Sequence, residues 1–106
     1  MKTPEGYEKD EIDKYLKEIG AYNAKPASYG YGASGTSDRL CCILGTFWAI
    51  EVKREGKLPT KLQAIRMNEV RAAGGQATWG VAFKVKNEIE TWRRRRLKEL
   101  SQTLGR

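Results

Sequence analysis

Ile50-Glu51-Val52-Lys53 sets a carboxylate and an ammonium two residues apart in an apolar run. Side chains alternate along a strand, so Glu51 and Lys53 share one face while Ile50 and Val52 share the other. A carboxylate beside an ammonium at the end of a sheet can hold a divalent metal and steady a nucleophilic water, the chemistry of phosphodiester hydrolysis. A partner acid lies one hairpin arm upstream. Asp38 to Ile43 and Thr46 to Glu51 read as two strands joined by Leu44-Gly45. If those two residues form the turn, Ile43 faces Thr46 and Asp38 falls opposite Glu51, with Cβ atoms roughly 5 Å apart. Two carboxylates so placed repel each other unless a cation lies between them, and Mg²⁺ or Mn²⁺, which take oxygen ligands, suit that place. Leu-Gly is an unfavoured pair for a two-residue hairpin, and a bulge there would shift the register by one. The plainer alternative is a surface Glu–Lys pair at a strand end.

Composition narrows the chemistry. The 106 residues suit one domain, 1–106, with a single core. Twenty Lys+Arg against 13 Asp+Glu give a net charge of +7, which favours an anionic partner. There is no histidine. That excludes nucleases with a histidine base, Ser-His-Asp and Cys-His hydrolases, and His-ligated zinc sites. Cys41 and Cys42 are adjacent in a strand and point to opposite faces, so buried, reduced thiols are expected rather than a disulfide or a metal site. No signal peptide or membrane-spanning apolar run is seen, so a soluble, cytoplasmic protein is expected.

The elements that must carry these residues can be read in turn. Thr3-Pro4 opens a helix, with Thr3 as N-cap, and Gly20 closes it. Its apolar stripe is Ile12, Tyr15, Leu16 and Ile19. One turn back lies Glu8, on the buried face, whereas Asp10 and Asp13 fall off it. Glu8 is either a third metal ligand or supporting base, or an acid of a solvated first turn; Glu11 is the fallback ligand. Ala21 onward gives a short edge strand that Pro26 interrupts. A Gly/Ser/Tyr-rich loop then delivers the chain to Asp38. Its hydroxyls and amides can donate to phosphate oxygens and its tyrosines can stack or wedge, which makes Tyr29, Tyr31 and Ser34 candidate DNA contacts, with Lys25 and Arg39 flanking them. Beyond Lys53 a basic turn carries Arg54 and Lys57, and Thr60-Lys61-Leu62-Gln63 is a capping-box pattern opening a helix that ends at Gly74-Gly75. The cap alone accounts for Gln63. Gln76 to Phe83 reads as a strand parallel to that of Glu51, and Val85 to Leu104 as a last helix with Val85, Ile89 and Trp92 inward. Arg93, Arg94, Arg95 and Arg96 form a basic band, read as solvated surface or as phosphate contacts alongside Arg54, Lys57 and Lys61.

Helix, hairpin bearing D…E-x-K, helix, strand: in this order the chain resembles the PD-(D/E)xK nuclease superfamily, and more closely its virus-type replication-repair nuclease (VRR-Nuc) branch. The resemblance spans nearly the whole chain. It rests on Gly20-Ala21-Tyr22, Ser34 to Asp38, Ile50 to Lys53, Pro59-Thr60-x-x-Gln63 and Ala72 to Gly75. Ser37 stands where the family usually has proline. The resemblance implies a small restriction-endonuclease-like α/β fold, a mixed sheet flanked by helices. It implies metal ligation by Asp38, Glu51 and the Val52 carbonyl, and a Lys53 that orients or activates the attacking water. Glu8 matches the acid of the family's first helix, and Gln63 the glutamine placed near the site. Small stand-alone phage members look like dimeric Holliday-junction resolvases, so the resemblance implies a homodimer cutting branched or four-way DNA, in the host cytoplasm if phage-encoded. The open alternatives are a general repair or restriction-type nuclease and a non-catalytic DNA-binding module. Independently, Phe47, Trp48, Trp79 and Trp92 exceed what one small sheet face needs, which suits a dimer interface.

Overall fold

The computed structural model of the protein describes residues 2–27 and 35–104. Thr3 caps α1 (Pro4–Glu18) by accepting from the Gly6 N–H, and Pro4 fills the first position, where a missing N–H costs nothing. Ile12, Tyr15 and Leu16 face the core, as the 3.6-residue period requires. Gly20 (φ +73°) lets the chain turn into the short edge strand β1 (Tyr22–Ala24).

β2 (Arg39–Ile43) and β3 (Thr46–Val52) form the central hairpin, with Ile43 opposite Thr46 and Arg39 opposite Ile50. The two-residue turn therefore holds, with no bulge. Leu44 and Gly45 both take left-handed φ values, +49° and +78°. Leu44 tolerates this because its side chain packs against the core and its carbonyl accepts from Arg96 Nε at 3.2 Å.

After the turn at Gly56, α2 (Lys61–Ala72) runs to β4 (Gln76–Gly80), which pairs in parallel with β3. The sheet order is β1-β2-β3-β4, a mixed α/β arrangement. The expected strand Gln76–Phe83 is three residues too long. The chain breaks at Gly80 (φ +135°), and Ala82 opens α3 (Ala82–Leu104) because the Glu8 carboxylate accepts its backbone N–H. Helical spacing then carries Phe83 to the surface, 74% exposed.

Alternation along the hairpin sorts two layers. Cys41, Ile43, Trp48, Ile50 and Val52 meet Ile12 and Leu16 of α1 and Val85 and Ile89 of α3 in the main core. Trp92 packs edge-on against Trp48, centroids 5.2 Å apart. The other face carries Asp38, Leu40, Ala49 and Glu51 toward α2. The pair of cysteines divides between the faces: Cys41 is buried and Cys42 exposed, correcting the expectation of two buried thiols, since alternation turns Cys42 away from the main core. No helix among the described residues is long and apolar enough to cross a membrane.

Candidate active site

The hairpin register fixes the first pair of residues. Asp38 sits immediately before β2, and its Oδ2 accepts the Val52 N–H at 2.9 Å, so the carboxylate is tied to the end of β3. Glu51, on the adjoining position of that face, is only 3% exposed. Its Oε1 accepts from Gln63 Nε2 at 2.9 Å and lies 3.6 Å from Lys53 Nζ, itself almost buried. Its Oε2 is buried and has no hydrogen-bond partner among the described residues. Burial first, then the charge of Asp38, pushes the Glu51 carboxyl up to about 7, and the Lys53 ammonium opposes this without prevailing. The Lys53 N–H donates to the Gly80 carbonyl at 2.9 Å, so the parallel pairing of β3 and β4 fixes the backbone from which this lysine reaches.

Gln63 does two things at once. Its Oε1 accepts the Thr60 N–H at 2.8 Å while Thr60 Oγ1 accepts the Gln63 N–H at 3.1 Å, a full capping box. The other end of the same amide holds Glu51. The cap expected from sequence is therefore present, and the same side chain also reaches Glu51, the residue beside which the resemblance puts it.

Glu8 comes from α1 toward the same end of the sheet, where Oε1 accepts the Ala82 N–H at 2.7 Å. A carboxylate on the first amide of α3 also meets the positive end of that helix. Among the described residues, no group of three or more His, Cys, Asp or Glu side chains converges as a metal cluster. The two-carboxylate pair still suits a hard divalent ion: its oxygens are the donors such ions take, and the buried, unpartnered Glu51 Oε2 calls for a positive ligand.

A residue that the sequence reading overlooked also touches this site. Lys9, next to Glu8, places Nζ 3.5 Å from Asp38 Oδ1. Its only sequence signal was adjacency to Glu8, because a contact between the first helix and the foot of β2 depends on tertiary packing.

The cationic candidates separate by position. Arg54, Lys57 and Lys61 are exposed and lie just beyond Lys53, on the turn and the start of α2. Lys84 joins Arg54 and Lys57 around a cavity of about 240 Å³, its Nζ stacked 4.1 Å from the Trp79 ring centre. Arg39 does not join them. It points to the opposite face and is 8% exposed, its Nε and Nη2 bonded to Asp13 at 2.7 and 3.0 Å. Asp13 is therefore half-buried against the hairpin, contrary to its expected place off the buried face, because Arg39, Asn23 and Lys25 all converge on it. The four-arginine band lies at the far end of the sheet. Arg96 bonds the Leu44 carbonyl and Arg93 bonds Glu90 at 2.7 Å, while Arg94 and Arg95 are exposed. From the Leu44 turn to Glu51 is roughly 20 Å along β3 at strand rise. Tyr29, Tyr31 and Ser34 lie outside the described residues.

Comparison with known proteins bears on the arrangement as a whole. No protein-family model matches the chain, and no curated protein does. A solved structure described as a "VRR_NUC domain" superposes with a TM-score of 0.71 at 26% identity, covering 85% of this chain and 97% of that one. That likeness is one of fold; in this chain the mixed sheet, an antiparallel hairpin plus one parallel strand between helices, carries Asp38, Glu51 and Lys53 at the open ends of β2 and β3, away from the Leu44 turn. The chain has the VRR-Nuc type of PD-(D/E)xK-like nuclease fold.

Proposed function

We propose that the protein is a metal-dependent DNA endonuclease that hydrolyses phosphodiester bonds in branched DNA, acting as a homodimeric Holliday-junction resolvase. The observation that carries the catalytic part is the Asp38–Glu51 pair, with its buried, unpartnered Glu51 Oε2 beside the buried Lys53 ammonium. Asp38, Glu51 and the Val52 carbonyl would hold Mg²⁺ or Mn²⁺, with Glu8 behind them; the bound ion supplies Lewis acidity to the scissile phosphate and lowers the pKa of water. The protein's own groups do the rest. Lys53, held within 3.6 Å of Glu51, orients the attacking water and offsets the charge that gathers on the phosphate. Gln63 keeps Glu51 in one rotamer. Arg54, Lys57 and Lys61 hold flanking phosphates, with Lys25 and the exposed Arg94 and Arg95 as more distant contacts.

Branched-DNA preference rests on the likeness to the small VRR-Nuc type, and the dimer on stoichiometry. One chain carries one such site, and paired incision across a four-way junction needs two, related by a two-fold axis. Phe47, 46% exposed, is the large apolar residue of the original four best placed for such an interface, since Trp48 is spent in the core. The test is digestion of matched linear, flapped and four-way DNAs with Mg²⁺, Mn²⁺ or excess chelator, with light scattering on the same preparation. Metal-dependent, paired incision of the junction by a dimer is expected. A monomer that cuts linear duplex equally fast returns the reading to a general DNA nuclease, and DNA binding without any cleavage to a binding module.

A further inference from the structure

Lys9 stands between two carboxylates. Glu5 Oε2, one helical turn back on α1, is 3.3 Å from its Nζ, and Asp38 Oδ1 is 3.5 Å away. The first is an ordinary contact along one helix. The second crosses from α1 to the foot of β2 and falls on the Asp38 oxygen that the Val52 N–H does not occupy. The carboxylate pair is therefore approached by one ammonium from each side, Lys53 on Glu51 and Lys9 on Asp38.

We infer that Lys9 is a built-in counter-cation for Asp38, which an incoming divalent ion displaces onto Glu5. This rests on the metal-centre reading above. Asp38 Oδ1 is the oxygen open to a metal ligand role, and an ammonium within 4 Å of it repels a divalent ion placed there. Lys9 has somewhere to go, because Glu5 already lies at contact distance. Before metal arrives, the ammonium offsets the repulsion between two carboxylates whose separation the hairpin fixes. Lys9 is thus a positioning residue, about a third exposed, that lowers metal affinity and keeps the empty pair from forcing the strands apart.

The test is titration with Mn²⁺ alone, without DNA, followed by calorimetry on the native protein, Lys9→Met, Lys9→Arg and Lys14→Met. Lys14 sits on the exposed side of α1 and carries the same charge, so its variant measures the general field. Lys9→Met should bind Mn²⁺ roughly two- to fivefold more tightly, the size of a partly exposed ion pair, while Lys9→Arg should match the native protein. Lys9→Gln repeats the measurement with a polar side chain should the methionine variant fold poorly. The inference is overturned if neither neutral variant gains affinity, or if Lys14→Met gains as much. If the native protein and the neutral variants all bind no Mn²⁺, the metal-centre reading itself has failed and the inference goes with it.

Discussion

The two faces of the central hairpin treat carboxylates in opposite ways. On the α1 side, Asp13 gathers Arg39, Asn23 and Lys25, and although burial pushes its carboxyl up, those hydrogen bonds outweigh it and hold the group down at about 2. On the α2 side, Asp38 and Glu51 share a more enclosed site with fewer donors, and burial together with Asp38 drives the Glu51 carboxyl up to about 7. Arg39 follows Asp38 directly in sequence, so strand alternation alone sends the strongest available cation to the far face. A carboxylate that has its cations is joinery. One left short of them, beside a buried lysine, is a place for an added cation and for chemistry.

The largest effect expected is on cleavage. Glu51→Gln or Asp38→Asn should lower the rate of DNA cleavage by on the order of 10³ or more in a gel assay, with DNA affinity retained in a binding titration. Asp13→Asn should leave the cleavage rate within a few-fold at a temperature where the variant is folded. Equal losses from both faces would erase the distinction drawn between them.

Stability should respond the other way. Arg39→Met takes the guanidinium from half-buried Asp13, leaving it only Asn23 and Lys25, and should cost about 2 kcal/mol in urea unfolding, by loss of a charged hydrogen-bonded pair. Glu51→Gln, which removes an under-neutralised buried acid, should leave metal-free stability unchanged or raised near neutral pH.

The pH dependences should have opposite slopes. Asp13 has a folded pKa below its ordinary 3.8, so its contribution is present above that value and is lost as pH falls toward about 2. Glu51 has a folded pKa above its ordinary 4.5, so the folded state binds the proton more tightly; that contribution is complete below 4.5 and is lost as pH rises through about 7. Thermal melts of the metal-free protein from pH 2 to 9 should show the acid limb vanish in Asp13→Asn and the neutral limb vanish in Glu51→Gln.

Smaller again is Gln63→Ala, which loses a helix cap and the contact to Glu51. A stability loss of about 1 kcal/mol is expected, with cleavage down roughly 10- to 100-fold. The smallest effect belongs to Arg94→Gln with Arg95→Gln. If these two exposed arginines touch phosphate, the salt dependence of DNA binding should flatten by about one to two counterions, with cleavage at saturating DNA unaltered.

Much of the α2-side site was legible because it depends on short-range rules. Period-two alternation and a two-residue turn are enough to bring Asp38 and Glu51 together, and the capping box puts Gln63 at a helix start that the parallel connection carries back over the sheet. The Leu44-Gly45 turn was the weak step, and what secures it is distant: Arg96, far along the chain, holds the Leu44 carbonyl. The same kind of distance hid the rest. Glu8 was recognisable as an acid facing inward, but its hydrogen bond to Ala82 joins opposite ends of the chain and also sets where β4 stops and α3 begins. Arg39 looked like a DNA contact because charge near a candidate site suggests one, yet its face was fixed by the alternation that placed Asp38. Arg93 and Arg96 read as a uniform band with their neighbours, and only packing shows which members are engaged.

The double duty of Gln63 couples two motions. Fraying of the first turn of α2 must release Thr60, Gln63 and Glu51 together, since one amide side chain bridges them. Whatever clamps Glu51 should therefore slow hydrogen exchange at the Gln63 and Ala64 amides, and whatever melts that turn should loosen the carboxylate. Reciprocity of this kind makes the helix start a reporter on the site: protection of two backbone amides reads out the occupancy of a carboxylate one side chain away.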